Sequence, residues 1–524
     1  LLQMEQATII LEALRDRDLP DNFQNMVNSA REVVPLLETF ARTGLAASQL
    51  WESFFGYDRP RSYLLVAQNS DELRATGGFI PGAWILTLDR GEIVQLQFWD
   101  TVAVDDLDAG PPLPPEGLLQ SLWAGAWLFR DAGWYPDFPT SGRAMEQMFQ
   151  MGQGVSVDGV ISLDQWAVQM MLDAVGPITL YTGEILDSDS YIRILEEKTD
   201  LLGRGYMDSV MDSLLDGLRE QGGERDMMSL MATLHKSLKE KHLLLFFHDQ
   251  ALQDVVNRNG WSGAVEDGAG DYLMVVDSNV GFSKVNRNIA QSITYTVELE
   301  PGGESEARLD LLYTNQSSET TPNSCAIQAT GRAGKSYQQQ KNTCYWDYLR
   351  VYVPADSMLV SSSPFPMPQG ALYRQIGYND IEDTGRVYTE SNKAVFAGLF
   401  NLEVGESRSV AFAYTLPVRV IQREGEQLAY SLFLQKQPGT GSIPVEVNIH
   451  LPVGYCVRHS TLAFVYLGVD EVQFTLDLNS DTALELDLEP RSTCKLPEQD
   501  THLLAVDLPE GITRIAFSSV VVEP

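Results

Sequence analysis

The sequence predicts a multidomain chain in which N-terminal helices lead into an α/β domain, followed by one or two all-β sandwich modules. Three patterns carry that expectation. Apolar residues recur at three- and four-residue steps before residue 55, as in ATIILEAL. Between 60 and 180, short apolar runs alternate with helical patterns. From about 270 onward the chain reads as short alternating strands separated by turn signals, for example SITYTVELE, SVAFAYTLP and PVEVNIHLP. The expected domains are a helical stalk or hairpin at 1–57, an α/β domain at 58–262, a β-sandwich at 263–420 and a second β-rich module at 421–524.

Within the α/β part, strands are expected at 62–67, 79–88 and 92–98, with Arg90–Gly91 at the centre of a hairpin turn. A Pro-rich loop at 100–117 precedes a helical stretch near 117–130. A further helix from about 140 has Thr140 or Ser141 as its candidate N-cap. VDGVISLD (157–164) reads as a strand, and the helix after it ends at Gly176. Residues 185–258 read as mostly helical, with HLLLFF as a strand. One internal echo is present: GGESEARLDLLYTN (302–315) resembles VGESRSVAFAYTLP (404–417).

The chain has 524 residues, 44% of them hydrophobic, and a formal net charge of −35. It can build real cores. It lacks the basic surface that a nucleic-acid backbone requires, so no nucleic-acid partner is expected. No apolar run reaches the ~18 residues of a membrane span. The sequence opens at Leu1, already in helical pattern, so an upstream segment carrying an export signal or membrane anchor is expected. The four cysteines form two local couples, Cys325/Cys344 and Cys456/Cys494. An even count confined to β-rich regions favours disulfides and an oxidising compartment, although four cysteines allow three pairings.

Three stretches are candidates for binding. In QNSDELRATGG (68–78), between two strands, Asn69, Glu72, Arg74, Thr76, Gly77 and Gly78 would form a loop at a strand end, where α/β folds carry function. The same residues admit a structural reading, with Arg74 paired to Glu72 or Asp71 and the glycines making a tight turn. Asp100, Asp105, Asp106 and Asp108 offer hard carboxylate oxygens for Mg²⁺ or Ca²⁺, or form a solvated acidic loop. In RDAGWYPDFPTSGR, the residues Arg130, Trp134, Asp137 and Arg143 could hold an anionic sugar at a helix start. Alternatively Trp134 and Tyr135 pack and Asp137 serves a turn. The six histidines form no constellation in the sequence. Signatures of serine hydrolases, zincins and P-loop nucleotidases do not occur.

NSDELRATGGFIPGAWILTLDRGEI, WYPDFPTSGR, VDGVISLDQWAVQMMLDAVGPI, GDYLMVVDSNVGFSKVNRNI and LQKQPGT occur in this order over roughly 60–440. Together they resemble a bacterial family known as domain of unknown function 4012, which implies a secreted or membrane-anchored envelope protein. FWDTVAV (98–104) and the 157–180 stretch are more distantly similar to LytR–CpsA–Psr phosphotransferases. Those enzymes hold a polyprenyl pyrophosphate with arginines and Mg²⁺. The resemblance matches Asp100 and Thr101 to their Asp and Thr, while Trp99 stands where they have Arg. An indole cannot make the bidentate contact of a guanidinium. The expected function is therefore an extracytoplasmic, cell-surface protein that binds a cell-wall glycan or polyprenyl-linked glycan through the loops at 68–78 and 130–143. The alternatives are a divergent phosphotransferase that uses Arg74, Arg130 or Arg143, and a self-assembling surface-layer, sheath or filament component.

Overall fold

The computed structural model describes residues 52–122, 124–220, 224–318, 325–326, 328, 336–367, 371–372 and 385–493. Of the expected stalk at 1–57, residues 1–51 lie outside this set, as does Cys494. The chain is mixed α/β with a strand-rich C-terminal region, and it divides into two units. The first comprises residues 1–68, 80–111 and 138–264; the second comprises 69–79, 112–137 and 265–524.

The first unit is built on a five-stranded sheet of order β3-β2-β1-β4-β7. Its strands are β1 (Arg61–Asn69), β2 (Phe79–Asp89), β3 (Glu92–Asp100), β4 (Gly159–Asp164) and β7 (Leu243–Phe247). A two-stranded ribbon, β5 (Ile178–Thr179) with β6 (Ile185–Leu186), lies apart from it. β1 and β4 run parallel, with Tyr63 opposite Gly159 and Gln68 opposite Asp164. β4 is buried at all six positions, as a central strand covered on both faces must be. The β2–β3 hairpin turns through Arg90 and Gly91, both at positive φ (51° and 81°), the geometry expected of a two-residue hairpin loop. The helix Gln165–Val175 is capped by Asp164, whose side chain accepts from Ala167 N, and it stops at Gly176 (φ 84°). Its residues Ala167, Val168, Leu172 and Val175 pack in one core with Tyr63, Leu65, Ile161, Leu163 and Phe247. The helix expected from about 140 begins at Phe138, so Thr140 and Ser141 fall in its first turn and do not cap it.

In the second unit two sheets share one core. The first has the order β12-β15-β10-β9-β18-β21-β20 and the second β13-β14-β11-β8-β17-β22-β19, with β16 added on β17. The strands are β8 (Asp271–Val276), β9 (Ile289–Glu298), β10 (Ser305–Asn315), β11 (Tyr345–Pro354), β12 (Met358–Ser362), β13 (Arg386–Glu390), β14 (Lys393–Leu402), β15 (Ser407–Leu416), β16 (Ile421–Glu424), β17 (Gln427–Leu434), β18 (Ile443–His450), β19 (Tyr455–Ser460), β20 (Val465–Tyr466), β21 (Glu471–Leu478) and β22 (Thr482–Pro490). The boundary expected at 420/421 has to be corrected. β17 pairs in parallel with β8, and β18 with β9, so the two expected modules share both sheets. The echoed segments also find their place: β10 and β15 are direct antiparallel neighbours, from Ser305 opposite Leu416 to Thr314 opposite Ser407.

β10 shows the half-buried alternation of a sandwich strand, whereas β8 and β11 are buried at every position. The reason lies in what covers their second face. Tyr345, Leu349, Val351 and Val353 of β11 point into the sandwich core. Trp346 and Tyr348 point the other way and pack with Leu118, Leu122 and Trp134; Tyr352 packs with Ala75. Residues 69–79 and 112–137 thus belong to the second unit, where they cover the outer face of its sheet.

Cys325 and Cys344 form a disulfide with a Cα–Cα distance of 5.2 Å, packed beside Trp346 in this outer layer. It indicates an oxidising, extracytoplasmic setting. Cys456 is buried on β19 and is also disulfide-bonded. Opening the Cys325–Cys344 loop with the double substitution Cys325→Ser/Cys344→Ser is expected to cost about 3 kcal/mol of stability. Urea denaturation followed by tryptophan fluorescence, with and without reductant, measures it.

Candidate functional site

The polar segment 69–79 begins where β1 ends. Asn69 Oδ1 accepts from Asp71 N at 3.0 Å and starts a single helical turn, Ser70–Glu72. The chain then turns through Gly77 (φ 134°) and Gly78. A Cβ on Gly78 would lie 2.1 Å from Asn69 O, so only glycine allows this return to β2.

The charged groups of the segment are all answered by protein, while the buried Ser70 hydroxyl has no hydrogen-bond partner. Arg74 is 2% exposed and uses all five of its N–H donors. Nε and Nη2 donate to Asp131 Oδ1 (3.1 and 2.9 Å), Nη2 also to Glu72 Oε1 (3.4 Å), and Nη1 to the carbonyls of Leu73 (3.1 Å) and Asn279 (2.5 Å). Glu72 faces Lys284 Nζ at 3.5 Å. Asp71 accepts from Arg287 Nε at 2.9 Å and from the Tyr337 hydroxyl at 2.7 Å. Asn69 Nδ2 donates to that same hydroxyl, and Thr76 Oγ1 donates to Gly133 O. Three carboxylates, Asp71, Glu72 and Asp131, therefore balance three cations, Arg74, Lys284 and Arg287. Burying such charges costs far less when each is both paired and hydrogen-bonded. The guanidinium has no donor left for a phosphate, which is the structural alternative raised for this loop.

In the 112–137 segment, Trp134 is buried against Tyr348 with ring centroids 5.6 Å apart, and the Arg350 guanidinium lies 4.8 Å over its ring. Asp137 Oδ1 accepts from Val265 N and serves as a turn ligand. Arg130 is 41% exposed and approaches Asp131 at 3.6 Å. Trp127 and Tyr135 are half-buried, pack against the layer of Trp134 and Tyr348, and meet edge to face, 5.7 Å apart; Trp127 Nε1 donates to Asp131 O.

Other candidates lie in the first unit. Trp99 donates to Gln153 Oε1 and meets Phe149 edge to face. Asp100 caps the turn that follows it and pairs with Arg204 Nη1 at 2.8 Å. The Thr101 hydroxyl is buried and unpartnered. Asp106 accepts from the amides of Asp108 and Ala109. The expected cation site at Asp100, Asp105, Asp106 and Asp108 has to be corrected, because no group of three or more His, Cys, Asp or Glu among the described residues is placed to hold a metal. Asp100 Oδ1 serves a cap and an ion pair, and Asp106 Oδ1 serves a turn. Arg143 lies 4.9 Å over the Phe246 ring and donates to Pro139 O.

Sequence reasoning missed the long-range partners. Arg204 supplies the cation beside Asp100, and Lys284 and Arg287 lie about 210 positions from the carboxylates they answer. Asp164 and His242 form a buried pair, Nδ1 to Oδ2 at 2.7 Å, at the parallel end of β4. Only the position of Asp164 before a helix hinted at any role, and that role is a cap. Nothing local distinguishes the other residues.

Residues 58–199 match the family model described as "Protein of unknown function (DUF4012)", and this segment belongs to that family. A search of curated proteins finds no match. Among solved structures, the chain is similar to an M1 zinc metallopeptidase from Deinococcus radiodurans at 11% identity and a TM-score of 0.19, over 39% of this chain and 43% of that one. The chain thus spans less than half of that enzyme. It is also similar to the transcriptional regulator yvhJ from Bacillus subtilis (11% identity, 38% and 76% covered, TM-score 0.23). The Lin1025 protein from Listeria innocua matches in the same way (13%, 39% and 78%, TM-score 0.23). TM-scores this low define neither fold nor function.

Replacing Arg74 with Ala would leave Glu72 to Lys284 and Asp131 to the half-exposed Arg130, each at about the limit of an ion pair, with a cost of about 3 kcal/mol. A large fall in the thermal midpoint of Arg74→Ala is expected. An unchanged midpoint would show that the guanidinium is dispensable to the fold.

Proposed function

We propose that the protein is an extracytoplasmic cell-envelope component that binds a glycan by aromatic stacking and performs no phosphotransfer. The carrying observation is the half-buried Trp127–Tyr135 pair, with Arg130, 41% exposed, in the same segment. The indole is fixed by its bond to Asp131 O and by its backbone amide on Pro112 O, so a sugar ring would meet a preorganised platform. Arg130 supplies an exposed cation for acidic groups on the glycan. The disulfide supports the compartment. The full commitment of Arg74 speaks against the phosphotransferase reading, as does Trp99, which the distant resemblance would set where that chemistry uses Arg.

A second reading, self-assembly, is favoured by β12. Among the described residues this strand ends the order of its sheet; it reads MLVSS, without a charge or proline, and Met358 and Val360 are 56% and 68% exposed. Such an edge is open to pairing with another strand.

Titration calorimetry with soluble cell-wall glycan fragments tests the first reading. Trp127→Ala should weaken binding at least about tenfold, or 1.4 kcal/mol, at a temperature where the variant is fully folded. Binding that is lost on Arg74→Lys and kept on Trp127→Ala would overturn it. A concentration-dependent assembly in sedimentation velocity that Val360→Lys abolishes would favour the second.

A further inference from the structure

β8 is bracketed by two acids that differ in kind from those around Arg74. At its start, Asp271 Oδ2 accepts from the hydroxyls of Tyr295 (2.8 Å) and Tyr430 (2.6 Å), and burial pushes its carboxyl up to about 6. Just past its end lies Asp277, whose Oδ1 accepts from Tyr313 at 2.7 Å. Asp277 interacts with Asp347 of β11, which is fully buried. Asp347 Oδ1 accepts from Ser278 N and the Tyr345 hydroxyl, each at 2.9 Å, whereas its Oδ2 is buried without a hydrogen-bond partner.

The surroundings of the Asp277–Asp347 pair are poor in positive charge. β10 contributes Tyr313, β9 contributes Gln291, and β11 contributes Tyr345 and Arg350. Asn286 donates to the Tyr345 hydroxyl from the loop before β9. Arg350 lowers the cost of charge on Asp277; its Nη2 donates to Trp134 O and Ser278 Oγ, its Nη1 lies 3.9 Å from Glu390 Oε1 and its guanidinium lies over the Trp134 ring, while Nε and Nη1 have no hydrogen-bond partner. No described lysine or arginine makes an ion pair with either acid. Two carboxylates in such a site cannot both ionise cheaply. Burial is the largest effect on both: it raises Asp277 to about 6, and with the Asp277 charge it raises Asp347 well above the usual carboxylate range. A proton on Asp347 would turn the orphaned Oδ2 into a donor.

The pair is wired to the inserted segment. Gln437 bonds Asp277 through both its N–H and its C=O, at 2.8 Å each, and donates to Arg74 O. Asn279 N donates to Leu73 O at 3.0 Å, and Asn279 O accepts from Arg74. Residues 277–279 are therefore a three-residue bridge between the acids and residues 73–74.

We propose that a proton held by the Asp277–Asp347 pair latches segment 69–79 onto the sandwich, and that the latch loosens when the pair loses that proton. The sign follows from linkage. The folded state binds protons more tightly than the unfolded chain, so the contribution is full in acid and is lost as pH rises through the folded-state values. This inference does not depend on the glycan reading.

Hydrogen–deuterium exchange of the full chain from pH 5 to pH 9, corrected for the intrinsic chemical rate, tests it. In the wild type, protection of the Leu73 and Asn279 amides should fall at least tenfold across that range, while the Leu311 amide of β10 changes less than twofold. Asp347→Asn, which mimics the protonated acid, should hold protection at Leu73 and Asn279 constant within twofold. Equal pH slopes in wild type and variant would overturn the proposal, and so would a uniform loss that includes Leu311. Should Asp347→Asn fail to fold, Asp277→Asn takes its place. The wild-type profile decides alone if both fail, because pH-independent protection would refute the latch.

Discussion

The architecture of the second unit depends on one buried, charge-balanced contact, the Arg74 guanidinium among Asp131, Glu72 and two backbone carbonyls. A planar cation with five donors is buried at least cost where acceptors converge on all of them. Here they come from residues 72, 73, 131 and 279, so the contact joins the 69–79 segment to the 112–137 segment and to the chain leaving β8. Around it, Asp71 and Glu72 draw in Arg287 and Lys284. This accounts for a polar, glycine-containing stretch between two good strands. The stretch leaves the sheet of β1 and β2 and becomes part of the cover over another sheet.

That cover alters how the strands beneath it look. A sandwich strand with one wet face alternates, as β10 does. β8 and β11 carry large side chains on both faces because each face meets a core, the sandwich interior on one side and the layer of Ala75, Leu118, Leu122 and Trp134 on the other. Burial on both faces also explains the unusual polar residues. Asp271 and Asp347 sit among the inward-facing positions, and Arg350 among the outward-facing ones. Tyrosine hydroxyls, a backbone carbonyl and aromatic faces supply partners inside the protein, although Asp347 Oδ2 and Arg350 Nε and Nη1 keep none.

The buried acids fall into two chemical groups. Asp71, Glu72 and Asp131 have cations within ion-pair distance and add rigidity. Asp271, Asp277 and Asp347 are met by tyrosine hydroxyls and amides, which help a carboxylate less than a cation does in a medium where a lone charge is expensive. The first group holds the segment in place through charge. The second couples the strands beneath it to the proton concentration of the surroundings. With Arg74 committed inward, the half-buried aromatic pair and Arg130 are the groups of the 112–137 segment on which the glycan reading rests.

The sequence by itself determined much of this protein. The strands β1, β2 and β3, the Arg90–Gly91 turn, the helix between Asp164 and Gly176, the run of sandwich strands after 270 and the Cys325–Cys344 couple were all legible. Each depends on local signals: periodicity, turn residues, caps and spacing along the chain. The similarity to the DUF4012 family was legible for the same reason, in short contiguous motifs. Only the tertiary structure decided which sheet a strand joins and which charge answers which. β17 pairs with β8 across about 160 positions, so no boundary at 420 could survive. Arg74 reads equally well as a phosphate ligand or as an ion-pair partner until Asp131 and Asn279 arrive from distant parts of the chain. Pairing and burial are properties of neighbours in space, and a buried ion pair carries no periodicity to announce it.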